Sequence, residues 1–290
     1  MKSIRKILVA TDFSPASRHA LDHAQAIAAP LGAEVHVLSV HIQQSNLHGL
    51  ANFPNLDEIE SQLEARVHER MREFLAGREG ELVGEVISDQ NDAPAILRYA
   101  DERDIDLIVM GTHARTAASR FFLGSVAAEV LRTAPIPILV TGPEHAVGAT
   151  VFQRILVPVD FSDTSLDLLK YASALAGAFN ARLDVVHVTD PHSLPPYYAR
   201  DFGEEQQRRA EQAMQKLLAA AAIEQEYTSQ IRVGTPDDAI VDLATEQHSD
   251  LIIMASANRS RLSQMLLGST SDRVIRKAPC AVLAWRESVG

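Results

Sequence analysis

The chain has 290 residues, 46% of them hydrophobic and 22% charged, a globular composition with room for about two domains. A net charge of −11 argues against nucleic acid or an anionic membrane surface as the main partner, because both need a basic face. No apolar stretch approaches the roughly 20 residues of a membrane span, and the single cysteine, Cys280, excludes an internal disulfide.

The N-terminus reads as a first strand, without the long apolar core and cleavage site of a signal peptide. Cys280 reads as a small buried strand residue in a reducing compartment, so a cytoplasmic protein is expected. Residues 4–11 read as a strand, and its continuous apolar stretch Ile7-Leu8-Val9-Ala10 is the pattern of burial on both faces of a parallel sheet. Ser14-Pro15 then supplies a helix cap followed by proline at the first helical position. Ala20, Leu21, Ala24, Ile27, Ala28 and Leu31 recur at helical spacing, and Gly32 closes the helix. A strand over 34–41 follows, then a loop over 45–55 and a charged amphipathic helix over 56–76. Next come a strand over 82–88, a helix over 93–102, a strand over 106–111, a helix over 124–132 and a strand over 136–141. Turn-rich residues 143–151 make a linker between domains at 1–142 and 152–290.

The second domain repeats the first. Lys6-Ile7-Leu8-Val9-Ala10-Thr11-Asp12-Phe13-Ser14 returns as Arg154-Ile155-Leu156-Val157-Pro158-Val159-Asp160-Phe161-Ser162. Leu123-Gly124-Ser125 returns as Leu267-Gly268-Ser269, and Ala134-Pro135 as Ala278-Pro279. Strands alternating with helices need right-handed crossovers, so each half is expected to be a doubly wound α/β domain with a parallel sheet. The loops before the second helix of each half differ. Pro191, Pro195, Pro196, Tyr197 and Tyr198 occur only in the second, as a packed surface loop, a lid or a partner surface.

In an open parallel sheet, ligands bind beyond the carboxyl ends of the strands, where strand order reverses. Asp12 ends the first strand and Gly111 the fourth, so adjacent strands would set them on two sides of one crevice. Gly124-Ser125 opens the next helix, where free backbone N–H groups and a hydroxyl suit a phosphate. Glycine at position 111 is expected to let backbone approach the anion closely.

These residues carry a resemblance. Each half resembles the universal stress protein family, whose ATP-binding members carry G-x2-G-x9-G-[S/T] after the fourth strand. The first half reads Gly111-x2-Ala114-x9-Gly124-Ser125, with alanine for the middle glycine. The second reads Ala255-x2-Asn258-x9-Gly268-Ser269, keeping only the last pair. The resemblance implies five strands per half in the order 3-2-1-4-5, with the two last strands pairing antiparallel in an intramolecular pseudo-dimer, and leaves a further homodimer open. It implies that Asp12 meets the adenine end of ATP and that backbone near Ala10, Thr11 and Val40 lines the base and ribose pocket. Met110, Gly111 and Thr112 would pass beneath the ribose and phosphates, and Gly124, Ser125 and Val126 would hold the phosphates. Arg115, with Arg120, would add charge from the loop. The matching set in the second half is Pro158, Asp160, Val188, Ala255, Gly268, Ser269 and Thr270, expected to bind more weakly because Ala255 replaces the glycine nearest the nucleotide.

No other constellation points to catalysis. His19 and His23 are spaced as a metal pair but lack a third ligand, and read as a polar helix flank. Ser14, Ser17, Ser162 and Ser165 read as helix-start residues, and the charge run over 58–72 as a solvated helix face. There is no G-x-x-x-x-G-K-[S/T] loop, no H-x-G-H and no S-G-G-x-D-S. The expectation is a stress-response regulator that binds ATP, with or without magnesium, without efficient turnover, and that acts through an unknown protein partner. The alternatives are an interaction module that has lost nucleotide binding and a slow ATPase.

Overall fold

Continuous apolar segments pair into one sheet, and amphipathic helices cover both its faces. The computed structural model describes residues 4–42, 56–112, 123–142, 152–190, 202–256 and 268–286. The loop at 45–55, the linker at 143–151, the prolines and tyrosines at 191–198, and Ala114, Arg115, Arg120 and Asn258 lie outside these residues. The first half runs β1 (Lys6–Ala10), α1 (Pro15–Leu31), β2 (Glu34–Ile42), α2 (Leu56–Leu75), β3 (Leu82–Asp89), α3 (Asp92–Glu102), β4 (Leu107–Gly111), α4 (Ser125–Thr133) and β5 (Ile138–Thr141). The second runs β6 (Arg154–Pro158), α5 (Asp163–Phe179), β7 (Arg182–Thr189), α6 (Phe202–Ala221), β8 (Tyr227–Val233), α7 (Pro236–Glu246), β9 (Leu251–Ala255), α8 (Ser269–Lys277) and β10 (Ala281–Trp285). None of the helices among the described residues is long and apolar enough to cross a membrane.

Local chemistry sets the ends of these elements. Ser14 caps α1 by accepting from the Ser17 N–H, and Ser162 caps α5 by accepting from Ser165. The helices stop at left-handed residues, Gly32 at φ 61° and Asn180 at φ 53°, residue types that tolerate that conformation. β5 begins at Ile138, two residues later than the apolar run suggested. Pro137 has no N–H to give the ladder, though its carbonyl still accepts from Ile108.

The strand order is β3-β2-β1-β4-β5-β10-β9-β6-β7-β8. Each half is a parallel 3-2-1-4-5 sheet. The halves join where β5 and β10 run antiparallel, with Ile138 opposite Ala284, Leu139 opposite Leu283 and Val140 opposite Val282. Alternation along the strands divides the core into two layers, each running through both halves. Ile7, Val9, Leu139 and Leu283 face α1, α2, α5 and α6, whereas Leu8, Ile138, Val140 and Val282 face α3, α4, α7 and α8. Further contacts tie the junction. α1 packs on α5, Tyr171 meets Trp285 with ring centroids 6.1 Å apart, and Arg286 donates to the last carbonyls of α4, those of Leu131 and Arg132.

The expected polar flank of α1 holds for His19, which faces Asp22 at 3.9 Å, but not for His23. His23 is buried on the core side, at the position Tyr171 occupies in α5, and its Nδ1 donates to the His19 carbonyl at 2.9 Å. Burial lowers the His23 pKa, outweighing that hydrogen bond and the Asp22 charge, and burial lowers His36 in the same direction. The unfolded chain, with an ordinary imidazole near 6.5, binds protons that the folded chain refuses. Stability should therefore fall as pH drops below about 6.5. Thermal unfolding at about pH 7.5 and pH 5.5 should show that fall, and His23→Tyr should remove part of it. An identical slope in the variant would assign the dependence to other groups.

Candidate functional site

In both halves the strand-to-helix turn is made by a phenylalanine in the left-handed region, Phe13 at φ 64° and Phe161 at φ 63°. A bulky side chain costs about 1 kcal/mol there, so surrounding contacts must hold it. Thr11 Oγ1 accepts from the Phe13 N–H at 2.9 Å, and the Phe13 ring packs on Phe74 at 5.7 Å. The turn leaves Asp12 and Asp160 exposed at the carboxyl edge of the sheet, beside the strands where the order reverses.

A cavity of about 370 Å³ opens at that edge in the first half. Ala10, Thr11, Asp12, Val40, Met110, Gly111, Gly124, Ser125 and Val126 all line it. Of the other expected residues, Thr112 is turned away, its N–H and hydroxyl both directed to the Thr141 carbonyl of β5, and Arg115 lies outside the described residues. The second half has a matching cavity of about 340 Å³, lined by Pro158, Asp160, Val188, Ala255, Gly268, Ser269 and Thr270.

The structure adds residues that sequence patterns did not single out. Val67 and Arg70 of α2 form a wall of the first cavity, with the Arg70 guanidinium 4.8 Å from the centre of the Phe13 ring. Helical periodicity marks α2 as amphipathic but does not say which polar residue leans over a neighbouring loop. Asp92 also lines this cavity, from the first turn of α3, and burial raises its carboxyl pKa. Its place just past the end of β3, with Pro236 at the matching position, was the available signal.

The two cavities differ in chemistry. In the second, Asp160 Oδ1 accepts from the Ser162 N–H at 3.1 Å, the Ser162 hydroxyl at 2.6 Å and the Ser165 hydroxyl at 2.7 Å. Partial desolvation at the sheet edge pushes the Asp160 carboxyl up, but these hydrogen bonds prevail and hold it below the ordinary carboxylate value. In the first, Thr11 replaces Val159 and its hydroxyl donates to Ser17 at 2.9 Å, drawing that serine into a different network. His187 stands where the first half has Ser39. It stacks on Phe161 with centroids 4.1 Å apart and donates from Nδ1 to the Val159 carbonyl. The first turn of α4 has no acidic residue, whereas that of α8 carries Asp272, paired with Arg276 at 3.0 Å. A carboxylate there competes with an anion for the positive end of the helix.

The fold supplies a further reason for glycine at position 111. A Cβ there would lie 2.3 Å from the Ala16 carbonyl oxygen and 3.0 Å from the Ser17 nitrogen, so it would meet the backbone at the start of α1. Backbone cannot rotate away as a flexible side chain can. Gly111→Ala should therefore cost about 1–3 kcal/mol of stability, seen as a lower denaturant midpoint. An unchanged midpoint would show that α1 shifts freely.

Among known proteins, a model of the universal stress protein family matches residues 3–142 and again 152–286. The universal stress protein E homolog of Haemophilus influenzae is 26% identical over 272 residues, spanning 87% of this chain and 86% of that one. A universal stress protein of Synechocystis is 24% identical over 303 residues, spanning 98% of this chain and all of that one. The crystal structure of a universal stress protein from Archaeoglobus fulgidus superposes with a TM-score of 0.70 over 99% of both chains, at 24% identity, a likeness of fold. With the family's domain matched twice over nearly its whole length, this chain belongs to the universal stress protein family.

Proposed function

We propose that the protein is a cytoplasmic stress-response regulator that binds ATP or a related adenine nucleotide, mainly in its first half, and holds it without efficient turnover. The observation that carries this reading is the meeting of two features in one cavity. The N-terminus of α4, with Gly124 and Ser125, opens into the space that Asp12 and Val40 line from β1 and β2. Unpaired N–H groups at a helix start favour phosphate, and the strand ends beyond β1 and β2 supply room for a base and ribose. Magnesium, where it accompanies the nucleotide, would ride on phosphate oxygens.

The supernatant of heat-denatured purified protein, analysed for nucleotide, tests the reading. ATP or ADP near one per chain supports it. No nucleotide there and no binding of added ATP would leave an interaction module. Release of ADP and phosphate over repeated cycles would indicate the slow ATPase.

A further inference from the structure

The two cavities differ in shape as well as in chemistry, and position 255 sets the difference. A Cβ on Gly111 would collide with the Ala16 carbonyl at the start of α1. The second half carries that Cβ, on Ala255, so the matching carbonyl of Thr164 must stand farther from β9. Accordingly, α1 packs more extensively on β4 and β5 than α5 does on β9 and β10. Thr164 and Leu168 of α5 line the second cavity, whereas their counterparts Ala16 and Ala20 do not line the first. A recess between α5 and β9 thus belongs to the second half alone.

Thr164 is 9% exposed in that recess, and its hydroxyl has no hydrogen-bond partner among the described residues. Ser162 already caps α5, so the helix start does not engage this hydroxyl. Burying a hydroxyl unpaired is unfavourable, and a ligand that reaches it relieves the cost. Asp160 Oδ1 takes three donors, but its Oδ2 takes none among the described residues and can accept from a ligand hydroxyl. Val188, Ile240 and Met254 add apolar walls that suit a flat base. No lysine or arginine among the described residues lines this cavity, whereas Arg70 lines the first, and Asp272 opposes an anion at the start of α8. From this shape and charge we infer that the second cavity is a site for an uncharged, hydroxyl-rich ligand of the nucleoside class, with the Thr164 hydroxyl as one of its contacts. The inference stands apart from the nucleotide reading of the first half.

Calorimetric titration of the full chain with adenosine, with excess ATP present to fill the first cavity, tests it. Adenosine should still bind, at about one per chain, because the second cavity prefers the uncharged ligand. Thr164→Val, which keeps the shape and removes the hydroxyl, should weaken adenosine roughly three- to tenfold, the value of one neutral hydrogen bond. Thr164→Ala, copying Ala16, should do the same, while ATP affinity and the thermal midpoint stay as in the wild type. Absence of adenosine binding beside ATP, or adenosine affinity unchanged in both variants, would overturn the inference and leave the first half's nucleotide reading standing. Failure of ATP to bind would overturn that reading instead, and the adenosine titrations would still decide this one.

Discussion

Lysine at Ile138 or at Val282 should lower the thermal unfolding midpoint of the whole chain by about 10 °C. Both side chains are 1% exposed, on the central antiparallel strand pair and in the same apolar layer. An ammonium placed there has no partner, and an uncompensated buried charge costs about 3–5 kcal/mol, with the lost apolar contact added. For a chain of this size each kcal/mol shifts the midpoint by about 2–4 °C. The effect should reach both halves. Each core layer is continuous across β5 and β10, so disturbing the join exposes surface on either side. Midpoints unchanged in both variants would mean that the halves do not depend on this strand pair. A fall confined to one half, seen as two separate transitions by calorimetry, would mean that they fold independently.

Ser125→Asp should abolish ATP binding while leaving the fold as stable as before. A carboxylate at the first position of α4 interacts well with the positive end of the helix, so the helix itself gains if anything. The same charge occupies the place assigned to a phosphate and repels it. Ser125→Ala is the milder version, removing one hydroxyl whose hydrogen bond to a charged group is worth about 1.5–3 kcal/mol, or roughly tenfold in affinity. Ser269→Ala should change ATP affinity little, because α8 carries Asp272 in its first turn and Asp160 is committed to Ser162 and Ser165. Calorimetry on the three variants decides between the halves. Loss of affinity in Ser269→Ala alone would reverse their ranking.

The sequence by itself determined the fold class, the duplication and most of the cavity lining. Continuous apolar strands, capped helices and a near-copy of residues 6–14 at 154–162 are local or repeated signals, and they need no knowledge of neighbours in space. Gly124, Ser125, Asp12 and their counterparts were legible for the same reason, since strand ends and helix starts in a parallel sheet converge on one edge. What only the tertiary structure decided depends on which elements meet. Gly111 reads as a phosphate-loop glycine, and only the fold shows that the backbone of α1 also stands where its side chain would be. His23 reads as part of a polar flank until α1 is rotated so that it faces the core. Arg70 and Asp92 sit on helices far along the chain from β1, and periodicity reports which face of a helix is apolar, not which polar residue borders a cavity. The difference between the two cavities was only half visible as sequence. Ala255 and Asp272 can be read in place, but the hydrogen bonds that engage Asp160, and the stacking of His187 on Phe161, exist only once β6, β7 and α5 are brought together. Side-chain partners across strands are set by packing, and packing is a property of the whole sheet.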